Sequence, residues 1–326
     1  MPEPDLPSII INAESGYTRT NHNWVLGRIL RDFDYWKPNQ VRDVLKQILD
    51  DARRADVENA KKKGIEPPPP RERAGLCISI FCTIPIPTGV TPHPAGRNVN
   101  TPTRDWVFYS GILCAIIQLA IASIPCALYG QWPTLMITGW GILLAFACGL
   151  FPQWKAEKWH GRHRAKGVAL TRGNGAQDVI VIISDEHGLD LEDLAGLGEV
   201  ETSLLTRILA TLVAIQWMAL LITVGGIDEN TWYLLAVGAV GMVQNSVVAG
   251  ASRKPGSFGL HLDLKSVEVI GDAKVMEALK KAEDRHPRLG ASLLNTFFPG
   301  NLREDEKKYW NQKAKEWEER KKPSKS

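Results

Sequence analysis

VFYSGILCAIIQLAIASIPCALY, then GQ, then WPTLMITGWGILLAFACGLF: this stretch, residues 107–151, contains no Asp, Glu, Lys or Arg, and its reading decides the fold. Each apolar half, 107–129 and 132–151, runs for about 20 residues, which at about 1.5 Å per residue matches a hydrocarbon core of about 30 Å. Only Gly130 and Gln131 separate the halves, so the two helices are expected to be antiparallel neighbours. A second pair follows, Leu204–Gly225 and 231–251, joined by the five residues Gly226 to Asn230. The sole charge in these four segments is Arg207, in the first turn of the third. Such segregation is what insertion demands, because a charge at the centre of a span costs about 2.5–3.5 kcal/mol. The expected fold class is a mainly α membrane protein with four transmembrane helices as two hairpins, accompanied by a small α+β cytosolic region.

Aromatic residues mark the ends of the segments. Trp106, Phe108 and Tyr109 enter the first, Tyr129 and Trp132 flank the first turn, Trp154 and Trp159 follow the second, and Trp232 and Tyr233 open the fourth. Amphipathic rings favour the headgroup level. Orientation follows from Lys and Arg near the ends: Arg97 and Arg104 before the first segment, Lys155, Lys158, Arg162, Arg164 and Lys166 after the second, Arg253 and Lys254 after the fourth. The two short turns carry neither, and the second is acidic through Asp228 and Glu229. The positive-inside rule therefore places both termini and the central loop in the cytosol. The opening Met-Pro-Glu-Pro-Asp has no secretory or mitochondrial leader pattern, so the first span is expected to direct insertion. Nothing distinguishes an endomembrane from the plasma membrane.

The chain divides accordingly into a cytosolic helical region (1–66), a Pro-rich linker with an apolar strand or re-entrant segment (67–105), hairpin 1 (106–152), a cytosolic loop with a β-hairpin (153–202), hairpin 2 (203–252) and a cytosolic helical tail (253–326). In the first region Val41, Val44, Leu45, Ile48, Leu49 and Ala52 recur at helical spacing after Pro38, ending by Gly64. Pro67 to Pro70 form a stiff spacer. Residues 76–90 are apolar but short, and Pro85 and Pro87 interrupt them, so a buried or interfacial strand is expected; a re-entrant or fifth spanning segment is the alternative. Val168 to Leu170 and Val179 to Ile183 flank a Gly173-Asn174-Gly175 turn, which predicts a hairpin whose second strand is buried. In the tail, Val275, Met276, Leu279 and Ala282 form one apolar stripe. A second helix over 304–322 carries Trp310, Ala314 and Trp317 on one face, to pack on its own domain or lie on the membrane surface.

Candidate chemistry is sparse. The net charge is only +3 and the basic runs, such as Lys61, Lys62 and Lys63, stand beside acids, which excludes a nucleic-acid partner. Cys114, Cys126 and Cys148 fall inside spans and Cys77 and Cys82 in an apolar stretch, so neither a disulfide framework nor a zinc site is indicated. His160 and His163 stand at metal-ligand spacing, but a third ligand is missing and the neighbours are cationic; Lys155, Lys158, Arg162 and Arg164 read instead as a segment touching anionic lipid headgroups. Asp185, Glu186, His187 and Asp190 lack the calcium-loop pattern and read as a solvated turn, with Asp190, Glu192 and Asp193 as an acidic turn or helix start. The Gly173 turn lacks the lysine and hydroxyl of a phosphate loop. No cofactor is implied. Within the spans, Gly141, Ala145 and Gly149, and Ala210 and Ala214, repeat every four residues as packing seams. Gln118, Gln216, Gln244 and Asn245 are the polar side chains at depth, for interhelical hydrogen bonds or for a neutral-solute path.

Three stretches, GMVQNSVVAGASRKPG at 241–256, SLLNTFFPGNLR at 292–303 and NWVLGRILRDF at 23–33, resemble segments of multi-pass membrane proteins of filamentous fungi whose activity is uncharacterised. The resemblance runs along most of the chain. It implies a eukaryotic membrane protein with a coupled cytosolic region, and no mechanism. The expectation is a membrane-anchored scaffold or accessory protein with protein partners or copies of itself; a channel or transporter subunit and a membrane-bound enzyme with a cytosolic-face site stay open.

Overall fold

The computed structural model describes residues 3–84, 102–159, 162, 164–184, 189–196 and 202–321. In chain order its elements are β1 (Ile9–Asn12), β2 (Thr18–Thr20), α1 (Trp24–Arg31), α2 (Phe33–Trp36), α3 (Asn39–Lys63), β3 (Leu76–Cys82), α4 (Trp106–Tyr129), α5 (Pro133–Gly149), α6 (Pro152–Lys158), β4 (Lys166–Thr171), β5 (Asp178–Ser184), α7 (Leu191–Leu194), α8 (Leu204–Gly225), α9 (Thr231–Gly250), α10 (Pro255–Phe258), β6 (Glu268–Asp272), α11 (Val275–Arg285), α12 (Leu289–Phe297) and α13 (Glu304–Lys321). They form two compact units. One is assembled from Met1–Thr101, Gly161–Gly198 and Lys254–Ser326, the other from Pro102–His160 and Glu199–Arg253.

The first unit is built on a six-stranded mixed sheet of order β2-β1-β4-β5-β3-β6. Strands β3 and β5 are parallel and every other pair is antiparallel. The run LCISIFC of β3 reads as continuously apolar because helices cover both faces of the sheet. Side chains alternate across it. Leu76, Ile78 and Ile80 join Met276, Leu279, Leu293 and Phe297 of α11 and α12 in one core. On the other face Phe81 meets Trp36 at 5.3 Å and Phe33 at 6.4 Å between ring centroids, and the Trp36 indole N–H donates to Ile29 O at 2.9 Å.

Local chemistry sets the boundaries of these elements. The Asn23 side chain accepts from Val25 N and Leu26 N and starts α1, whose Val25, Leu26, Ile29 and Leu30 are buried at helical spacing. Helix α3 ends where Gly64 adopts φ +64°. The β4–β5 hairpin turns through Gly173 and Gly175 with φ of +96° and +82°, as its Gly-Asn-Gly sequence requires. Buried Glu283 accepts from Arg288 N and Ala291 N at 2.8 and 2.9 Å, tying α11 to the start of α12. The stripe on α13 packs within its own unit: Trp310 is buried, Tyr309 donates to Asp284 at 3.0 Å, and the Arg288 guanidinium lies 4.4 Å from the Trp317 ring.

Residues 76–82 thus form an inner strand, while 85–90 lie outside the described residues. Two regions read as purely helical, 1–66 and 253–326, also supply β1, β2 and β6.

The second unit contains α4, α5, α8 and α9. Three of these helices, α4, α8 and α9, are long and apolar enough to cross a membrane. Helix α5 is equally apolar but has 17 residues, because Pro133 begins it and the chain turns into α6 at Pro152. Helices α4 and α5 pack together as expected of a hairpin. The second pair differs: α8 packs on α5 and α9 on α4, and α8 and α9 meet only marginally despite their short connection. The reading of the second pair as tightly packed neighbours is therefore corrected. Hydrogen bonds at depth draw each helix to a partner from the other pair.

Candidate functional site

Those hydrogen bonds involve the polar residues singled out in the sequence. Gln118 on α4 donates to Val237 O on α9 at 3.0 Å, and Gln244 on α9 donates to Ser110 Oγ on α4 at 2.8 Å. Gln216 on α8 accepts from the Trp140 indole on α5 at 3.3 Å. Each amide is thus joined to a group on another helix, Gln118 and Gln244 at half-buried positions and Gln216 at an exposed one. Asn245 is exposed, and among the described residues its side chain makes no hydrogen bond.

All four helices line a cavity of about 720 Å³. Gly111, Gly141, Gly238 and Gly241 help to open it, and Gln118, Thr138, Gln244 and Asn245 supply its polar surface. A side chain at Gly241 would meet Gln118 Nε2 at 3.0 Å, so the glycine admits that glutamine to the α4–α9 contact. The lining is otherwise apolar and holds no ionisable acid or base apart from Cys114. Such a surface suits an apolar or neutral guest with one amide to hydrogen-bond, and offers nothing for proton transfer.

The small-residue repeats are only partly engaged. Gly141 faces Leu220 of α8, where an added Cβ would stand 3.6 Å from Cδ2. Gly149 has open space beside it, and Ala145, Ala210 and Ala214 are exposed. Within one chain the seam between α5 and α8 thus runs through Gly141 rather than through the full repeats.

Two clasps hold the ends of this unit. At one end Arg253 pairs with both oxygens of Asp105 at 2.6 and 2.9 Å, while Asp105 also accepts from Phe108 N at the start of α4. At the turns, Gln131 donates to Glu229 at 2.5 Å and accepts from Asn230 at 2.6 Å. Neither clasp was anticipated. The available signal was an acid immediately before the first apolar segment and a base immediately after the last.

The basic candidates separate in their roles. Burial, then the nearby Arg253 charge, pushes the Lys158 ammonium down to about 8, and its Nζ lies 5.2 Å from the Trp159 ring. Arg162 is engaged with the protein: its Nε lies 3.4 Å from Asp193 Oδ2 and its carbonyl accepts from Asp190 N at 2.8 Å. Arg164 is exposed and its carbonyl accepts from Ser184 Oγ. His160, His163, Asp185, Glu186 and His187 lie outside the described residues, as does the Lys155 side chain. Asp190 is not solvated as expected. It is buried, caps α7 by accepting from Glu192 N and Asp193 N, and pairs with Lys166 at 3.0 Å. Among the described residues no three His, Cys, Asp or Glu side chains group as metal ligands. Compared with known protein families, curated proteins and solved structures, the chain matches none.

Proposed function

We propose that this chain is a four-span membrane protein that acts as a membrane-anchored scaffold or accessory protein, with the sheet unit on the cytosolic side as its working part. One observation carries the topology. The sheet joins β1 to β3, which precede α4, with β4 and β5, which lie between α5 and α8, and with β6, which follows α9. Strands hydrogen-bonded in one sheet lie on one side of a bilayer, so each intervening segment crosses an even number of times. If α4 crosses, α5 crosses back. Its 17 residues span about 25 Å at 1.5 Å each, at the short end of what a membrane helix uses. Residues 76–82 are a strand of that same sheet, which argues against a spanning role for them. The scaffold reading is supported by the uncharged lining of the helical cavity and by three glutamines, Gln118, Gln216 and Gln244, committed to contacts between helices.

A channel or transporter subunit is the second reading, favoured by the cavity and by Asn245 facing it. Purified protein in liposomes should pass no small neutral solute above the protein-free background. Flux that disappears in Gln244→Leu/Asn245→Leu would replace the scaffold reading with the channel reading. For topology, a cysteine at Asp228 should react only with reagent added from the non-cytosolic side.

A further inference from the structure

The four prolines at 67–70 connect α3 to β3 on the surface of the sheet unit, and every one of them is exposed. A proline ring holds φ at about −65°, and a residue followed by proline is driven to extended ψ. Residues 66–70 therefore form a polyproline II helix of about three residues per turn. Its conformational freedom is restricted by covalent geometry before any partner arrives.

This rod is fixed in one pose. Arg53 of α3 donates to Pro68 O, and Arg71, directly after the prolines, pairs with both oxygens of Asp56 of α3 at 3.0 and 3.1 Å. Arg53 and Asp56 stand three apart, as neighbours on one face of α3. The Arg71 side chain is thus turned to α3, and Pro68, one turn of the rod before it, shares that edge. Pro67 and Pro70 lie one turn apart on a second edge and Pro69 on the third, so their rings form a ridge that α3 leaves uncovered. Next to it stands Ile65, a large apolar residue that is 59% exposed. Charge adds a second character. Over residues 61–73 five exposed bases outweigh Glu66 and Glu72, although Lys62 and Arg71 are paired with acids of α3.

Stiff proline ridges dock in aromatic-lined grooves, and a basic border is complemented by an acidic rim. We propose that residues 67–70, posed on α3 by Arg53 and Asp56, dock in the aromatic-lined, acid-rimmed groove of a partner protein's polyproline-binding module, of the WW or SH3 type. The partner meets a ridge that is already ordered, which lowers the entropic cost of association. The inference rests on the scaffold reading, to which it adds a class of partner. The two fail separately, because solute flux in liposomes bears on the scaffold reading alone and domain binding by the purified chain bears on the ridge alone.

The test is titration of the full chain, purified in detergent, into a panel of fluorescently labelled, isolated WW and SH3 domains, read by fluorescence anisotropy. At least one domain is expected to bind with a micromolar dissociation constant. Pro67→Ala/Pro70→Ala should weaken that binding by about tenfold or more. This variant keeps every charge, so attachment through the bases alone would not register it. Its positions are exposed, so its melting temperature should stay within a few degrees of the parent, whereas a purely structural spacer would lose stability and no binding. Arg53→Gln, which frees Pro68 from α3 and leaves the prolines unchanged, should weaken binding by about two- to fivefold through lost pre-organisation. The proposal is overturned if no domain of the panel binds below millimolar concentration, if Pro67→Ala/Pro70→Ala binds like the parent, or if Arg53→Gln does.

Discussion

The two units use the same residue types in opposite ways. In the sheet unit Ile78, Leu279 and Leu293 are completely buried. In the helical unit, of the most apolar windows of α4, α8 and α9, only 11%, 0% and 6% are buried within the chain. Water would penalise that exposure heavily, whereas lipid does not. One unit is thus stabilised by hiding its apolar surface inside itself. The other is held by the hydrogen bonds of Gln118, Gln216 and Gln244 between helices and by the clasps at its ends, because burial supplies little.

The contrast yields its strongest test in a matched pair of substitutions. Leu279→Ala, in the sheet core, should cost about 2–5 kcal/mol and appear as a lower midpoint of sheet-unit unfolding in urea. Ile215→Arg, at an exposed position in the middle of α8, should cost about 2.5–3.5 kcal/mol in membrane insertion, read as loss of the carbonate-resistant membrane fraction. On a water-facing surface the same change would stay within about 0.5 kcal/mol, so an unaffected Ile215→Arg protein would break the comparison.

Lys158 sharpens it at the boundary. Its folded value of about 8 lies below the ordinary 10.5, so between those limits the unfolded chain binds the extra proton. Stability should therefore rise as pH increases from about 8 towards 10.5, and the full penalty should be present below 8. Lys158→Met is expected to raise the melting temperature at pH 7 and to flatten this slope, measured by thermal unfolding across pH 7–10. The smallest effect belongs to the glutamine contacts of the helical unit. Gln118→Leu should lower helical-unit stability by about 0.6 kcal/mol, measured by unfolding in mixed micelles.

The elements with a strong period could be read in advance. The helix after Pro38, the four apolar helices, the Gly173 hairpin and the Met276–Leu279 stripe all follow from spacing and turn residues. Short strands could not. Thr18–Thr20 is three residues with an arginine in the middle, and Glu268–Asp272 begins and ends with acids, so neither carries a period. Thr18–Thr20 pairs with Ile9–Ile11 close by, but the assignment of Glu268–Asp272 depends on a partner more than a hundred residues away, Ile78 for Ile270. The loose second pair escaped notice for a similar reason, since a short connection specifies proximity at one end only, and side chains on α4 and α5 decide the rest. Among the candidate polar residues, type and depth were legible, but not that Gln118 and Gln244 both tie α4 to α9.

The sheet also imposes an order on biosynthesis. Its strands are interrupted twice by pairs of apolar helices, and β6, the outer neighbour of β3, emerges only after all four have been made. Until then the hydrogen-bonding edge of β3 stands unpaired, and the stripe of α11 that covers its core face does not yet exist. A ribosome stalled anywhere before Glu268 leaves an adhesive, half-built sheet on the nascent chain, an evident mark for chaperones or proteases. Closure of the sheet is in that sense a readout that every preceding segment has been delivered.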